Sequence, residues 1–191
     1  TSRPVYVASA LNGQPAVQFD GANDYLQNAS FSALSGLRGA TAFVVFNTDA
    51  TLKNEVAFCE SGRNVNSQVY SNYTYTYATA GKWGRVGFTS RDWTIWNSVY
   101  DGTQSSNGTR LRLYVNGTAT ALTYGATIPT ILGTGAGYDV GRPQATNQAY
   151  WDGNIAEVIV YGRTLGESER LAVEGYLKSK YGIGVPPAPT A

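Results

Sequence analysis

The sequence predicts an all-β fold: an antiparallel two-sheet sandwich of the jelly-roll type, closed by one C-terminal α-helix. Three observations predict it. Short strand-like runs alternate with Gly, Asn and Asp turns from the N-terminus through Tyr161. One of those turns, Asn116-Gly117, sits between two alternating runs, the pattern of a tight β-hairpin. After Leu165 the apolar spacing changes to that of a helix and stays so until a Gly- and Pro-rich end.

Taken in order, the first strand signal is Ala16–Phe19, between the turn-like Asn12-Gly13-Gln14-Pro15 and Asp20-Gly21. Ala42–Phe46 is a continuous apolar run, as expected of a strand covered on both faces. Val69–Tyr77 reads as one alternating strand, with Val69, Tyr73, Tyr75 and Tyr77 on one face and Thr74 and Thr76 on the other. The company of Val69 assigns the tyrosines to the inner, core-facing side. Ser98–Asp101 is a strand preceded by Trp96, which is assigned to the core. The run Leu111–Val115, the turn Asn116-Gly117 and the run Thr118–Leu122 form the hairpin. Both turn residues need positive φ, which Asn tolerates and Gly accepts freely. Leu111, Leu113 and Val115 then point inward, and Arg110, Arg112 and Tyr114 outward. Ile155–Tyr161 is the last strand. Glu167 to Tyr181 is the helix, with Glu167 and Glu169 in its first turn and Lys178 and Lys180 in its last, as the helix dipole favours. Val173, Leu177 and Tyr181 give it an apolar stripe, and Gly182 ends it. The domain is expected to span residues 1–184, leaving 185–191, rich in Pro, as a linker or tail.

Composition narrows the function classes. Of 191 residues only 14% are charged, against about a quarter in ordinary soluble domains, so Thr, Ser, Asn, Gln, Gly and Tyr must supply the polar surface. A net charge of +1 without a basic block gives no electrostatic footprint for nucleic acid. No apolar run is long enough to insert in a membrane. The chain has no methionine, so the expectation is of a processed product or a piece of a longer protein. Cys59 is the one cysteine, so no internal disulfide forms, and it is expected as a buried apolar residue. With no histidine, Ser-His-Asp and Cys-His catalysis and His-ligated zinc are excluded.

Three segments stand out together: Asn12–Gly21 followed by Asp24-Tyr25-Leu26, the hairpin Leu111–Gly117, and Asp152–Tyr161 running through Arg163-Thr164-Leu165 into the terminal helix. In their order and spacing they resemble the concanavalin A-like, laminin G-like jelly-roll superfamily in its bacterial or phage form. The resemblance brackets nearly the whole chain. It implies the sandwich fold, but its members include lectins, adhesion modules, carbohydrate-binding modules and virion proteins, so the fold alone does not choose among them. Glycoside hydrolases of this fold carry acids at alternating positions of one strand, and alginate lyases a Gln-x-His strand. This chain has neither pattern, which points away from an enzyme.

Sugar rings stack their C–H faces on aromatic side chains while nearby polar groups bond the hydroxyls. On that chemistry Trp93, Tyr150 and Trp151, beside turn-like sequence with Arg91 and Asn147, are the expected ligand contacts. The resemblance also implies a calcium ion near a sandwich edge, for which Asp20, Asn23, Asp24 and Asp152 are the candidate ligands. The acid that calcium-binding relatives place before Glu157 is replaced by Ala156. The leading expectation is a non-catalytic recognition or adhesion module for a glycan or surface polymer, within a secreted or cell-surface protein. The alternative is a structural subunit of a virion or extracellular filament, partnered by other protein subunits.

Overall fold

The computed structural model describes residues 3–48, 54–60, 64–143 and 149–184. The chain begins with β1 (Val5–Leu11), β2 (Gln14–Asp20), β3 (Leu26–Asn28), β4 (Gly39–Thr48) and β5 (Glu55–Glu60). It continues through β6 (Ser67–Tyr70), β7 (Tyr73–Thr79), β8 (Lys82–Gly87) and β9 (Thr94–Asp101). A single helical turn, α1 (Asn107–Arg110), precedes β10 (Leu111–Val115) and β11 (Thr118–Ala119). Then come β12 (Thr123–Tyr124), β13 (Tyr138–Val140), β14 (Asp152–Tyr161) and the helix α2 (Glu167–Tyr181). Two seven-stranded sheets result, one ordered β1-β2-β14-β4-β9-β10-β11 and the other β12-β8-β7-β6-β5-β13-β3. Every strand pairing in them is antiparallel. The expected sandwich with one C-terminal helix is the fold.

Strand β4 explains how the layers are held. Its even-numbered residues Ala40, Ala42, Val44 and Phe46 enter the core between the sheets, with Trp96, Leu111, Leu113 and Trp151. Its odd-numbered Phe43 and Val45 join Ile95, Leu165, Leu177 and Tyr181 in a second cluster under α2. The continuous apolar run is therefore buried on both faces, as its sequence predicts. The α2 stripe lands as expected, with Leu177 and Tyr181 buried and Val173 partly so. Gly182 ends the helix at φ 66°. Cys59 is buried.

The Asn116-Gly117 turn has φ of 49° and 87° and brings Val115 opposite Thr118. Leu111 and Leu113 point inward, and Tyr114 lies outward beneath the Arg170 guanidinium of α2, 3.8 Å from its ring centre. Arg170 and Glu174 are both buried and paired at 2.6 Å. Arg110, expected in the hairpin, belongs to α1 instead.

One strand assignment is corrected. Val69–Tyr77 is not a single strand but a hairpin: β6 ends at Tyr70, Ser71 takes φ 56°, and β7 returns from Tyr73. The reversal puts Val69 opposite Thr74, so Val69 shares the core side with Thr74 and Thr76, and the tyrosines face out. Volume explains the outcome. Trp96 and Tyr100 of the first sheet, with Trp151 just before β14, fill the inter-sheet space, and the inner positions on β7 are the small Thr74, Thr76 and Ala78, all fully buried. The Thr76 and Ser98 hydroxyls bond across the gap at 2.5 Å.

Candidate functional site

The outer face of the second sheet carries a continuous aromatic surface. Cross-strand register builds it. Tyr73 lies opposite Tyr70 on β6, Tyr75 opposite Arg85 on β8 and Gln68 on β6, and Tyr77 opposite Trp83 on β8. Along β7 the ring centres of Tyr73 and Tyr75 are 6.4 Å apart and those of Tyr75 and Tyr77 6.2 Å, the repeat of alternate residues on one strand face. Trp83 meets Tyr75 edge-on at 5.3 Å, and Tyr70 lies 6.5 Å from Tyr75. Tyr75, ringed by Tyr70, Tyr73, Tyr77 and Trp83, is under a tenth exposed, and so is Tyr77. Tyr70 at 50% and Tyr73 at 37% present their rings to solvent.

Two features hold the surface rigid. Gly125 donates its N–H to the Trp83 carbonyl at 3.1 Å, and its backbone lies so close to the indole that a Cβ there would fall 2.2 Å from Trp83 Cζ2. Arg85 threads between the rings: its guanidinium is 4.3 Å from the Tyr73 centre and 5.5 Å from that of Trp83, and Nη1 donates to the Tyr75 hydroxyl at 3.1 Å. That hydrogen bond, more than any other contact, raises the Arg85 pKa further above its ordinary value. A cation on aromatic faces is attracted by their quadrupoles, which orders the long side chain.

Among the described residues the sequence-predicted contacts differ in exposure, and Trp151 is a correction. Trp151 is fully buried: its Nε1–H donates to the Asn47 carbonyl at 3.1 Å and its ring meets Phe46 edge-on at 4.9 Å. It is a core residue, and its neighbouring turn sequence was misleading because the chain enters β14 directly from it. Trp93 is half-buried on the other side of the first sheet, against the cluster under α2. Arg91 is exposed, Tyr150 is half-buried and hydrogen-bonded to Arg142, and Asn147 lies outside the described residues. Sequence reasoning missed Tyr70 and Arg85 altogether. The signal available was Tyr73-Thr74-Tyr75-Thr76-Tyr77 followed by Trp83-Gly84-Arg85: two neighbouring runs, each with bulky residues at every second position.

The predicted calcium ligands come together in part. Asp20, Asp24 and Asp152 line one cavity of about 200 Å³ with Gln18. Asp20 Oδ1 accepts the N–H groups of Ala22 and Asn23 at 2.9 and 3.1 Å, which holds its carboxyl below the usual range. Asp24 is 5% exposed; burial, reinforced by the Asp20 charge, pushes its pKa up. Asn23 is exposed and contributes its backbone to the Asp20 turn. Among the described residues no three Asp, Glu, Cys or His side chains are spaced to hold a metal ion.

Sheet order, inter-sheet core and terminal helix together define a concanavalin A-like, laminin G-like jelly roll. No protein-family model matches the chain, and no curated protein matches its sequence. Solved structures do match. Domain 4 of an extracellular arabinanase from Geobacillus stearothermophilus, solved in complex with arabinotriose, is 13% identical at TM-score 0.63, the match covering 91% of this chain and 82% of that one. A candidate carbohydrate-binding protein from Bacteroides ovatus is 19% identical at TM-score 0.62, covering 91% of this chain and 48% of the other. Domains LG4-5 of the mouse laminin α1 chain are 14% identical at TM-score 0.55, covering 88% and 46%. The chain thus spans about half the length of the last two. At these identities the likeness is one of fold. Among the described residues no helix is long and apolar enough to cross a membrane.

Proposed function

We propose that this domain is a non-catalytic recognition module that binds a polysaccharide along the outer aromatic face of its second sheet, as part of a secreted or surface protein. The observation that carries the reading is the pair of exposed rings, Tyr70 and Tyr73, mounted on a rigid bed of Tyr75, Tyr77, Trp83 and Arg85. Stacking on sugar C–H faces requires flat rings that do not have to be ordered at the moment of binding, and a tyrosine loses little conformational freedom. The solved domain 4 of the arabinanase with its arabinotriose supports the class of ligand, since it shares this fold. The lack of histidine and of an alternating-acid strand supports recognition rather than turnover.

Affinity electrophoresis of the purified domain through gels containing neutral and acidic polysaccharides tests the proposal. Retardation by at least one polymer is expected, with Tyr70→Ala and Tyr73→Ala each weakening binding by about tenfold or more, the scale of an aromatic contact at an interface centre. Unretarded migration in every gel, together with self-assembly of the purified protein, would overturn it in favour of the structural-subunit alternative.

A further inference from the structure

Among the described residues the cation in the middle of the aromatic face, Arg85, has no acidic partner. Three other arginines are paired with acids: Arg142 with Asp139 at 2.6 Å, Arg163 with Glu169 at 2.7 Å, and Arg170 with Glu167 and Glu174. Arg85 is held by Tyr73, Tyr75 and Trp83 instead, and among the described residues no carboxylate pairs with it. A guanidinium has five N–H donors in a planar fork, and the Tyr75 hydroxyl takes one of them. The residue is half-buried, and the rings beneath already orient its remaining donors. A fork of this kind matches a carboxylate or sulfate oxygen pair far better than it matches neutral hydroxyls.

Resting on the polysaccharide reading above, we propose that the ligand of this face is an acidic polysaccharide whose oxyanion, a uronate carboxylate or a sulfate ester, seats on Arg85 while neighbouring sugar rings stack on Tyr70 and Tyr73. The division of labour follows from position. Arg85 stands one strand beyond Tyr75, and Tyr73 and Tyr70 continue from it across the hairpin. An anionic unit on the guanidinium therefore leaves adjoining units over exposed rings. The low overall charge of the chain sharpens the selection, because a net charge of +1 offers little general attraction for polyanions and places the discrimination in this one group.

The test measures binding of the purified domain to polygalacturonate, dextran sulfate and neutral dextran, with wild type, Arg85→Gln, Arg85→Lys and Arg3→Gln. Arg3 is exposed and supplies a control for loss of one positive charge. Expected is binding to one or both acidic polymers and not to dextran, weakened by added salt. Arg85→Gln should lose about tenfold or more, the scale of a charge-assisted hydrogen bond. Arg85→Lys should fall between the two, keeping the charge and losing the fork, and Arg3→Gln should match wild type. The two acidic polymers separate carboxylate from sulfate recognition, and preference for either supports the proposal. Binding of dextran as tight as of the acidic polymers, unchanged in Arg85→Gln, would overturn it while leaving the polysaccharide reading standing. Equal losses in Arg3→Gln and Arg85→Gln would also overturn it, as general electrostatics. Binding to none of the three and to no neutral polysaccharide overturns the underlying reading itself. Unchanged thermal unfolding of the Arg85 variants shows that any loss is not one of folding.

Discussion

Replacing Gly117 with alanine tests how the terminal helix is locked to the sandwich. Gly117 sits at φ 87° in the tight turn between β10 and β11, and an added Cβ would lie 1.9 Å from Glu174 Oε1 and 2.5 Å from Lys178 Nζ. Two costs combine. Holding an L-residue in the left-handed region costs about 1–2 kcal/mol. The clash falls on the far end of a side chain, which would be a cheap adjustment at the surface. Glu174, however, is 2% exposed and its other oxygen is bound to Arg170 at 2.6 Å. Moving it strips a buried guanidinium of one of its two acids. Removing a partner from a buried pair costs about 3–5 kcal/mol, and Arg170 keeps the solvent-facing Glu167, so the smaller part of that range or less applies. The sum is about 2–4 kcal/mol, a large share of the roughly 5–15 kcal/mol of a typical domain. Urea unfolding followed by tryptophan fluorescence measures it, and the slope should be unchanged. A cycle with Glu174→Ala separates the terms, because the clash disappears in the double variant and leaves only the backbone cost. A loss below about 1 kcal/mol for Gly117→Ala, or strict additivity in the cycle, would refute the argument that the helix rests against this turn.

Trp151→Ala should behave as a core deletion, costing about 3–5 kcal/mol in urea unfolding, and if the folded fraction binds polymer as wild type does, the residue is no ligand contact. Acid titration of stability has a defined limb from Glu169, whose carboxyl is drawn down to about 2, first by the Arg163 fork and then by the Gly166 N–H. Its lowered pKa means that the contribution is fully present above about 4.5, the unfolded value, and is lost as pH falls through about 2. Glu169→Gln should remove that limb from a plot of melting temperature against pH while leaving the neutral end nearly unchanged, since the pair is solvent-exposed.

Much of the architecture was legible locally. The α2 boundaries, the Asn116-Gly117 turn, the double burial of β4 and the core position of Trp96 each follow from a turn that only certain residues adopt or from a repeat that matches one element, whereas the expected return strand Thr118–Leu122 stops at Ala119. The candidate site was not legible in that way. Trp151 beside Tyr150 and Asp152 looks like an exposed loop aromatic, yet it fills the core, because large rings near turns are as useful for plugging the end of a sandwich as for meeting a ligand. The tyrosines of β7 look like inner-face residues, yet they lie on the outer face of their sheet, where Tyr73 is exposed and Tyr75 and Tyr77 are buried among side chains of that face.

That difference has one physical origin. Alternation along a strand determines which side chains share a face, and the sequence alone establishes that Tyr73, Tyr75 and Tyr77 stand together opposite Thr74 and Thr76. Which of the two faces is buried is a property of what packs against it. A two-residue turn at Ser71-Asn72 reverses the chain, so that Val69 no longer shares a face with Tyr73. The volume of Trp96 and Tyr100 in the opposing sheet, with Trp151 just before β14, then leaves room on the inner side only for threonine and alanine. The grouping of the rings belongs to the sequence. Their exposure, and the place of Arg85 among them, belongs to the packing of one sheet on the other.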